Sequence, residues 1–194
     1  MAEQISAYHL ADNPELYEIQ RNNNFDFIVT DIDNIVRSDA KDTDTNRTIS
    51  NAQNVLHFSV VSSSLPMFTQ EVITVNYGNS VMKAAGKPTF SDGTLVVNDF
   101  IGADTKSVLM AWQNLSYNVR TDKVGRMADY KKNCYLQEYT PDWQLVRTWR
   151  LIGCWVSGLS EDQYSNDNSD KKTISATITF DKAYMELPDE EEQV

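Results

Sequence analysis

The chain has 194 residues, 41% hydrophobic and 23% charged, with a formal net charge of −11. That length holds one domain with a real core plus extensions. Scarce Gly (7) and Pro (5) exclude low-complexity material, no apolar run is long enough to span a bilayer, and the acidic balance leaves no basic excess for tight binding of free nucleic acid.

The first twenty residues, "MAEQISAYHLADNPELYEIQ", carry Glu3, Asp12, Glu15 and Glu18 and no Lys or Arg. They lack the basic and apolar regions of a secretory signal, so the chain is expected to be made and kept in a cytoplasm. Cys134 and Cys154 are then expected to be reduced, buried thiols. Period-two segments begin with "NFDFIV", where Phe25, Phe27 and Val29 share a face. Residues 31–54 join this strand to the next and have little core-forming character. A connection of that length is expected either to be disordered or to order against a partner.

"VLHFSVVSSS" is read as a strand that sets Leu56, Phe58 and Val60 against His57, Ser59 and Val61. "EVITVNYG" alternates Ile73, Val75 and Tyr77 with Val72, Thr74 and Asn76 and stops at Gly78. "TLVVNDFI" continues the pattern from Thr94 to Ile101. A helix follows, capped by Asp104, with Val108, Leu109, Trp112 and Leu115 at helical spacing. The stripe is one-sided, so the helix should lie on a sheet.

From Arg120 to Lys132 the chain holds five bases, Arg120, Lys123, Arg126, Lys131 and Lys132, against Asp122 and Asp129, and Gly125 marks it as a loop. A hairpin comes next, "NCYLQEY" and "QLVRTWRLIGCWVSG" about a turn at Pro141-Asp142. Gly153 inside the second arm suggests a bulge. The solvated loop "SEDQYSNDNSDKK" leads to "TISATITFDKAY". There Ile174, Ala176, Ile178 and Phe180 alternate with Thr173, Ser175, Thr177 and Thr179, an outer face of hydroxyls without charge.

The excess charge lies in the extensions. Residues 1–20 contribute −4, residues 31–54 −2 and residues 186–194 −5, so the remaining body is neutral. The organisation is an acidic arm (1–20), a β domain (21–185) with a long loop at 31–54, and an acidic tail (186–194).

Chemistry is not evident. Ser80-Val81-Met82-Lys83 matches Ser-x-x-Lys, but Lys172-Thr173-Ile174 is not the companion Lys-Thr-Gly. His9 and His57 are the two histidines, too few for a zinc site. No nucleotide-binding glycine pattern occurs. Neither catalytic activity nor a cofactor nor a metal is expected.

The order of these elements resembles the tail tube proteins of contractile-tailed bacteriophages. The pieces that carry the likeness are "GKPTFSDGTLVV" (Gly86 to Val97), the helix with "WQNL", the turn with "PDW" followed by "WRLIGCWVSGLS", and "TITFDKAY". The resemblance covers about residues 21–186. It implies a β-sandwich or small barrel with one flanking α-helix, six copies forming a ring with a continuous inner β-barrel, and stacked rings forming the conduit for the genome.

It implies further a structural role in the virion tail, assembled in the host bacterial cytoplasm. The implied partners are the chain itself, a sheath protein outside, a tape-measure protein inside, baseplate and tail terminator proteins, and genomic DNA in passage. The hairpins 55–78 and 132–156 become the expected lumen wall, and the helix 104–117 the outer side. Related alternatives are a baseplate tube-initiator ring and, from another class, a carbohydrate-binding module using Trp143, Trp149 and Trp155.

Two contact sets are expected. The acidic arm, with Glu15 and Glu18, docks on Arg120, Lys123, Arg126, Lys131 and Lys132 of a neighbour, unless those bases pair with their own Asp122 and Asp129. Ser175, Thr177 and Thr179, on a strand expected to pair with "FDFIV", are covered by a neighbouring subunit, a folded-back arm or the sheath.

Overall fold

A computed structural model describes residues 18–33, 35–36, 48–49, 51–102, 104–167 and 169–187. The elements in chain order are β1 (Phe25–Val29), β2 (Ile35–Val36), β3 (Thr48–Ile49), α1 (Ala52–Ser59), β4 (Val60–Ser63), β5 (Phe68–Tyr77), β6 (Ser80–Phe90), β7 (Gly93–Asn98), α2 (Thr105–Ser116), β8 (Tyr117–Asn118), β9 (Lys123–Val124), α3 (Met127–Tyr130), β10 (Lys132–Tyr139), β11 (Leu145–Glu161), β12 (Thr173–Thr179) and β13 (Lys182–Glu186).

One antiparallel sheet dominates, in the order β1-β10-β11-β12-β7-β4. Its spine is β11, 17 residues long. The first half of β11 has β10 on one side and β13 on the other; its second half pairs with β12. The division falls at Gly153, whose φ of 72° suits glycine best. A Cβ there would collide with the Asp181 carboxylate. The bulge predicted from this glycine is therefore real, and it lets one strand serve two halves of a curved sheet.

Alternation decides the core. Ile174, Ala176, Ile178 and Phe180 are buried together with Phe27, Val29, Leu95, Val97, Leu136, Leu151, Cys154 and Val156. Each large side chain removed from water contributes roughly 1.5–3 kcal/mol. Helix α2 adds Val108, Leu109, Ala111 and Trp112 and packs on β11. The indole Nε1 of Trp112 donates to the Tyr130 carbonyl at 3.0 Å, which fixes the buried ring. Asp104 stands at the N-cap in a left-handed conformation, φ 53°, without a side-chain cap bond.

Several expectations change. Residues 52–59 form a helix, not a strand. Ala52, Leu56 and Ser59 are buried at spacings of four and three, while Phe58 is 76% exposed. The apparent alternation of Leu56, Phe58 and Val60 joins two residues of the helix, read at the wrong period, to the first residue of β4. The strand β4 that follows pairs with β7, and β5 pairs with β6, so 55–78 is not a hairpin. The strand predicted to run to Ile101 ends at Asn98, and Ile101 is fully exposed.

The long connection 31–54 is ordered at both ends: Ile32 and Ala52 are in the core, and β2 pairs with β3. Residues 37–47 lie outside the described set. The basic stretch expected to be a loop contains β9, which pairs with β8 just before it, and the one-turn α3. Finally, β12 pairs with β7 and β11, not with β1, because β10 takes the edge of β1.

Candidate assembly interface

The ribbon β5–β6 stands apart from the sheet. Among the described residues its strands pair only with each other, from Phe68↔Phe90 to Tyr77↔Ser80. All ten residues of β5 and nine of the eleven in β6 are exposed. Gly78, φ 58°, makes its turn. At the root, Phe90 stacks between Phe68 and Phe180, with centroids 5.7 and 5.9 Å apart. An isolated two-stranded ribbon is marginally stable in water, so a long exposed one is a surface awaiting cover.

The register gives the ribbon two different faces. Ile73, Val75, Tyr77, Ser80, Met82 and Ala84 share one, which is apolar but for a serine. Val72, Thr74, Asn76, Val81, Lys83 and Ala85 share the other. Ile73, Val75, Tyr77 and Met82 are between 42 and 84% exposed. An exposed run of this kind marks an interaction surface.

Between β1 and β4 the sheet stays open. Among the described residues β1 bonds only to β10 and β4 only to β7. A groove of about 560 Å³ opens between them, lined by Phe25, Val61, Leu65 and Leu136 with Gln20, Arg21 and Glu138. A second cleft, about 660 Å³, separates the ribbon root from the start of β13. The second marks where the ribbon leaves the body.

The outward face of β1, β10, β11 and β13 is polar and half-buried. Its central row is Ile28, Tyr135, Arg150 and Tyr184 in register. The Arg150 guanidinium lies 5.8 Å from the Tyr135 ring and 3.5 Å from Glu186. The charges of Tyr135 and Tyr184 when ionised, and of Glu186, hold its proton more tightly than usual.

Glu15 lies outside the described residues, and Glu18 is exposed. Arg126 forms an ion pair with Asp129 at 3.0 Å and Lys131 with Asp181 at 2.6 Å. Arg120 and Lys123 are exposed and Lys132 opens β10, half-buried. Asp122 accepts from the Tyr117 hydroxyl at 2.7 Å, which raises the phenol's pKa. Two of the five bases thus have carboxylate partners within the chain.

Ser175, Thr177 and Thr179 are half-buried and share a face, as alternation requires. The Ser157 hydroxyl donates to the Thr177 carbonyl at 3.2 Å. Within 55–78 and 132–156, the segments expected as lumen wall, the second is the β10–β11 hairpin. The first is α1, β4 and β5, and sequence reasoning missed that β6 is the partner of β5. The signal was present: Val81, Met82 and Ala84 follow the Gly78-Asn79 turn directly.

No protein-family model matches the chain. The tail tube protein gp19 of Enterobacteria phage T4 is 27% identical over 127 residues, 64% of this chain and 78% of that protein. The tail tube protein gp19 of phage T6 matches to the same extent. The chain is similar to these two phage tail tube proteins. Solved structures agree on the fold. A chain of the extended sheath–tube complex of the PVC extracellular contractile injection system superposes with a TM-score of 0.61 at 17% identity, over 95% of this chain and 99% of that one. A chain of the anti-feeding prophage cap, which terminates its tube, gives 0.61 at 12% identity over 96% and 97%.

Among the described residues no group of three or more His, Cys, Asp or Glu is placed to hold a metal ion. The indoles of the carbohydrate-binding alternative do not form a platform. Trp149 donates to Glu138 at 3.0 Å, Trp155 packs edge-on against Tyr130, and Trp143 stands 62% exposed beside Tyr139.

Proposed function

We propose that this chain is the structural subunit of a contractile phage tail tube, self-assembling into stacked hexameric rings that form the conduit for genome delivery. The observation that carries this is the likeness to phage T4 tail tube protein along 127 residues, together with a fold match spanning nearly the whole chain. The mechanism is geometric: a rigid wall with no reacting groups, and no enzymatic role. Its partners are copies of itself, a sheath protein outside, a tape-measure protein inside, and baseplate and terminator proteins at the ends. Genomic DNA touches it in passage. Assembly takes place in the host bacterial cytoplasm and the product is part of the virion tail.

The likeness to a tube-terminating cap is as high as that to a sheath–tube chain, so a single-ring role, such as a baseplate initiator, is the second reading. Negative-stain microscopy of the purified protein separates them. Long tubes are expected; isolated rings favour the second reading, and a stable monomer at high concentration overturns both.

A further inference from the structure

We infer that Gly86 is the positioning residue of the β5–β6 ribbon: a bulge built on it sets the angle at which the ribbon's tip leaves the body, and thereby the geometry in which copies assemble. The first half is a property of the single chain; the second rests on the tube reading.

The bulge is visible in the register. Gln70 pairs with Pro88 and Val72 with Ala85, so Glu71 alone stands opposite both Gly86 and Lys87. An extra residue in one strand bends the ladder and adds to its right-handed twist. Glycine is required there for space and not for conformation. Gly86 is not among the residues with positive φ, but a Cβ on it would lie 2.7 Å from the Glu71 carbonyl oxygen and 3.1 Å from the Glu71 Cβ. The nearest obstacle is backbone, which yields only if β5 itself moves away.

The bulge also divides the ribbon in two. On its near side the root is held: Phe90 packs between Phe68 and Phe180, and the Thr69 and Thr89 hydroxyls lie 3.2 Å apart. The cleft against β13 takes in ribbon residues as far as the Gln70–Pro88 pair and none beyond it. On the far side every residue from Val72 to Ala85 is exposed. Root and tip are joined only through the bulge. Alternation along β5 starts the face of Ile73, Val75 and Tyr77 on the side opposite Phe68. The bend and twist added at Gly86 then decide where that face points. At about 3.4 Å per residue, Val72 to Tyr77 carry the turn roughly 20 Å past the bulge, so a small change of angle displaces it by several ångströms.

The test uses the full chain. Deleting Gly86 leaves every cross-strand pair and both faces of the ribbon in place and removes only the extra residue. Gly86→Ala keeps the length and crowds the Glu71 carbonyl, and Lys87→Ala is the control. Spin labels go on Asn79→Cys at the ribbon turn and Ser157→Cys, exposed on β11, while Cys134 and Cys154 are buried. In the unassembled protein the label distance should shift by several ångströms in both Gly86 variants and keep the wild-type value in Lys87→Ala, with circular dichroism unchanged in all three. Where the wild type assembles, the two Gly86 variants should give no tubes of wild-type diameter. An unchanged distance in the deletion overturns the positioning role. A shifted distance with tubes of wild-type diameter and yield overturns its part in assembly. A shifted distance in a protein whose wild type makes no tubes upholds the positioning role and removes the tube reading instead.

Discussion

The Lys131 ammonium lies 2.6 Å from the Asp181 carboxylate, fifty residues away, and the pair covers the bulge at Gly153. The Asp181 amide donates to the Ile152 carbonyl at 3.0 Å, so the same residue holds the bend from both its backbone and its side chain. Here β11 changes partner from β13 to β12, and the curvature of the whole wall passes through one residue.

Gly153→Ala is therefore expected to destabilise the chain by about 1–3 kcal/mol, since it forces a left-handed conformation on alanine and pushes Asp181 aside. Lys131→Met should cost less, about 0–1 kcal/mol, because Asp181 is half exposed. Urea unfolding of both variants checks the order; equal losses contradict it.

A second ion cluster gives a pH dependence. Glu161 accepts from Lys106 at 2.6 Å and Lys172 at 3.0 Å. The hydrogen bond from Lys106, then that from Lys172, holds its carboxyl below the usual carboxylate range. The folded pKa lies below the unfolded one, so the contribution is present above the ordinary carboxylate pKa and is lost as pH falls through the lowered value. The wild type should thus exceed Glu161→Gln in Tm at pH 7, by roughly 1–3 °C, and the gap should shrink as the pH falls below about 4. A gap that persists unchanged at pH 2.5 rules the cluster out as the cause.

Thr177→Lys should harm assembly more than folding. Thr177 is half-buried on an uncharged face between β7 and β11, and an ammonium there meets desolvation once the face is covered. The measurement is tube yield by sedimentation beside the Tm of the unassembled chain. Normal tubes from this variant leave the hydroxyl face without an assembly role.

Deleting residues 1–20 tests the acidic arm. Lys131 and Arg126 already have carboxylate partners within the chain, so the arm gains little from them. Loss of the arm should weaken assembly most at low salt, with the difference vanishing near 1 M salt, where the Debye length is about 3 Å. Assembly unchanged at every salt concentration removes the arm from the contact.

The sequence carried much of the fold because alternation has a direct physical consequence. One buried face fixes the register of β12 and of β1, and a slip of one residue would put hydroxyls in the core. The stripe Val108, Leu109, Trp112 placed α2 equally well. It failed where two periods fit the same letters. Leu56, Phe58 and Val60 suit a strand until Ala52 and Ser59 are seen to be buried with Leu56. For the interface, the ribbon strand β5 was legible and its exposure was not. Ile73 and Val75 alternate with Thr74 and Asn76 in the sequence, and composition does not say whether such an apolar face is covered by the same chain or by another.

What the sequence alone determined is the β class, the flanking helix, the hairpin about Pro141-Asp142, the bulge at Gly153 and the likeness to tail tube proteins. These rest on local periodicity, turn chemistry and order along the chain. What only the tertiary structure decided is which edges pair. It gave β12 to β7 and β11, gave β1 to β10, and left the ribbon and the β1–β4 groove open. Strand pairing joins residues distant in sequence, and each edge has one place to fill. The partner that wins is set by the whole sheet, here by a single strand bent at Gly153, and not by any stretch read on its own.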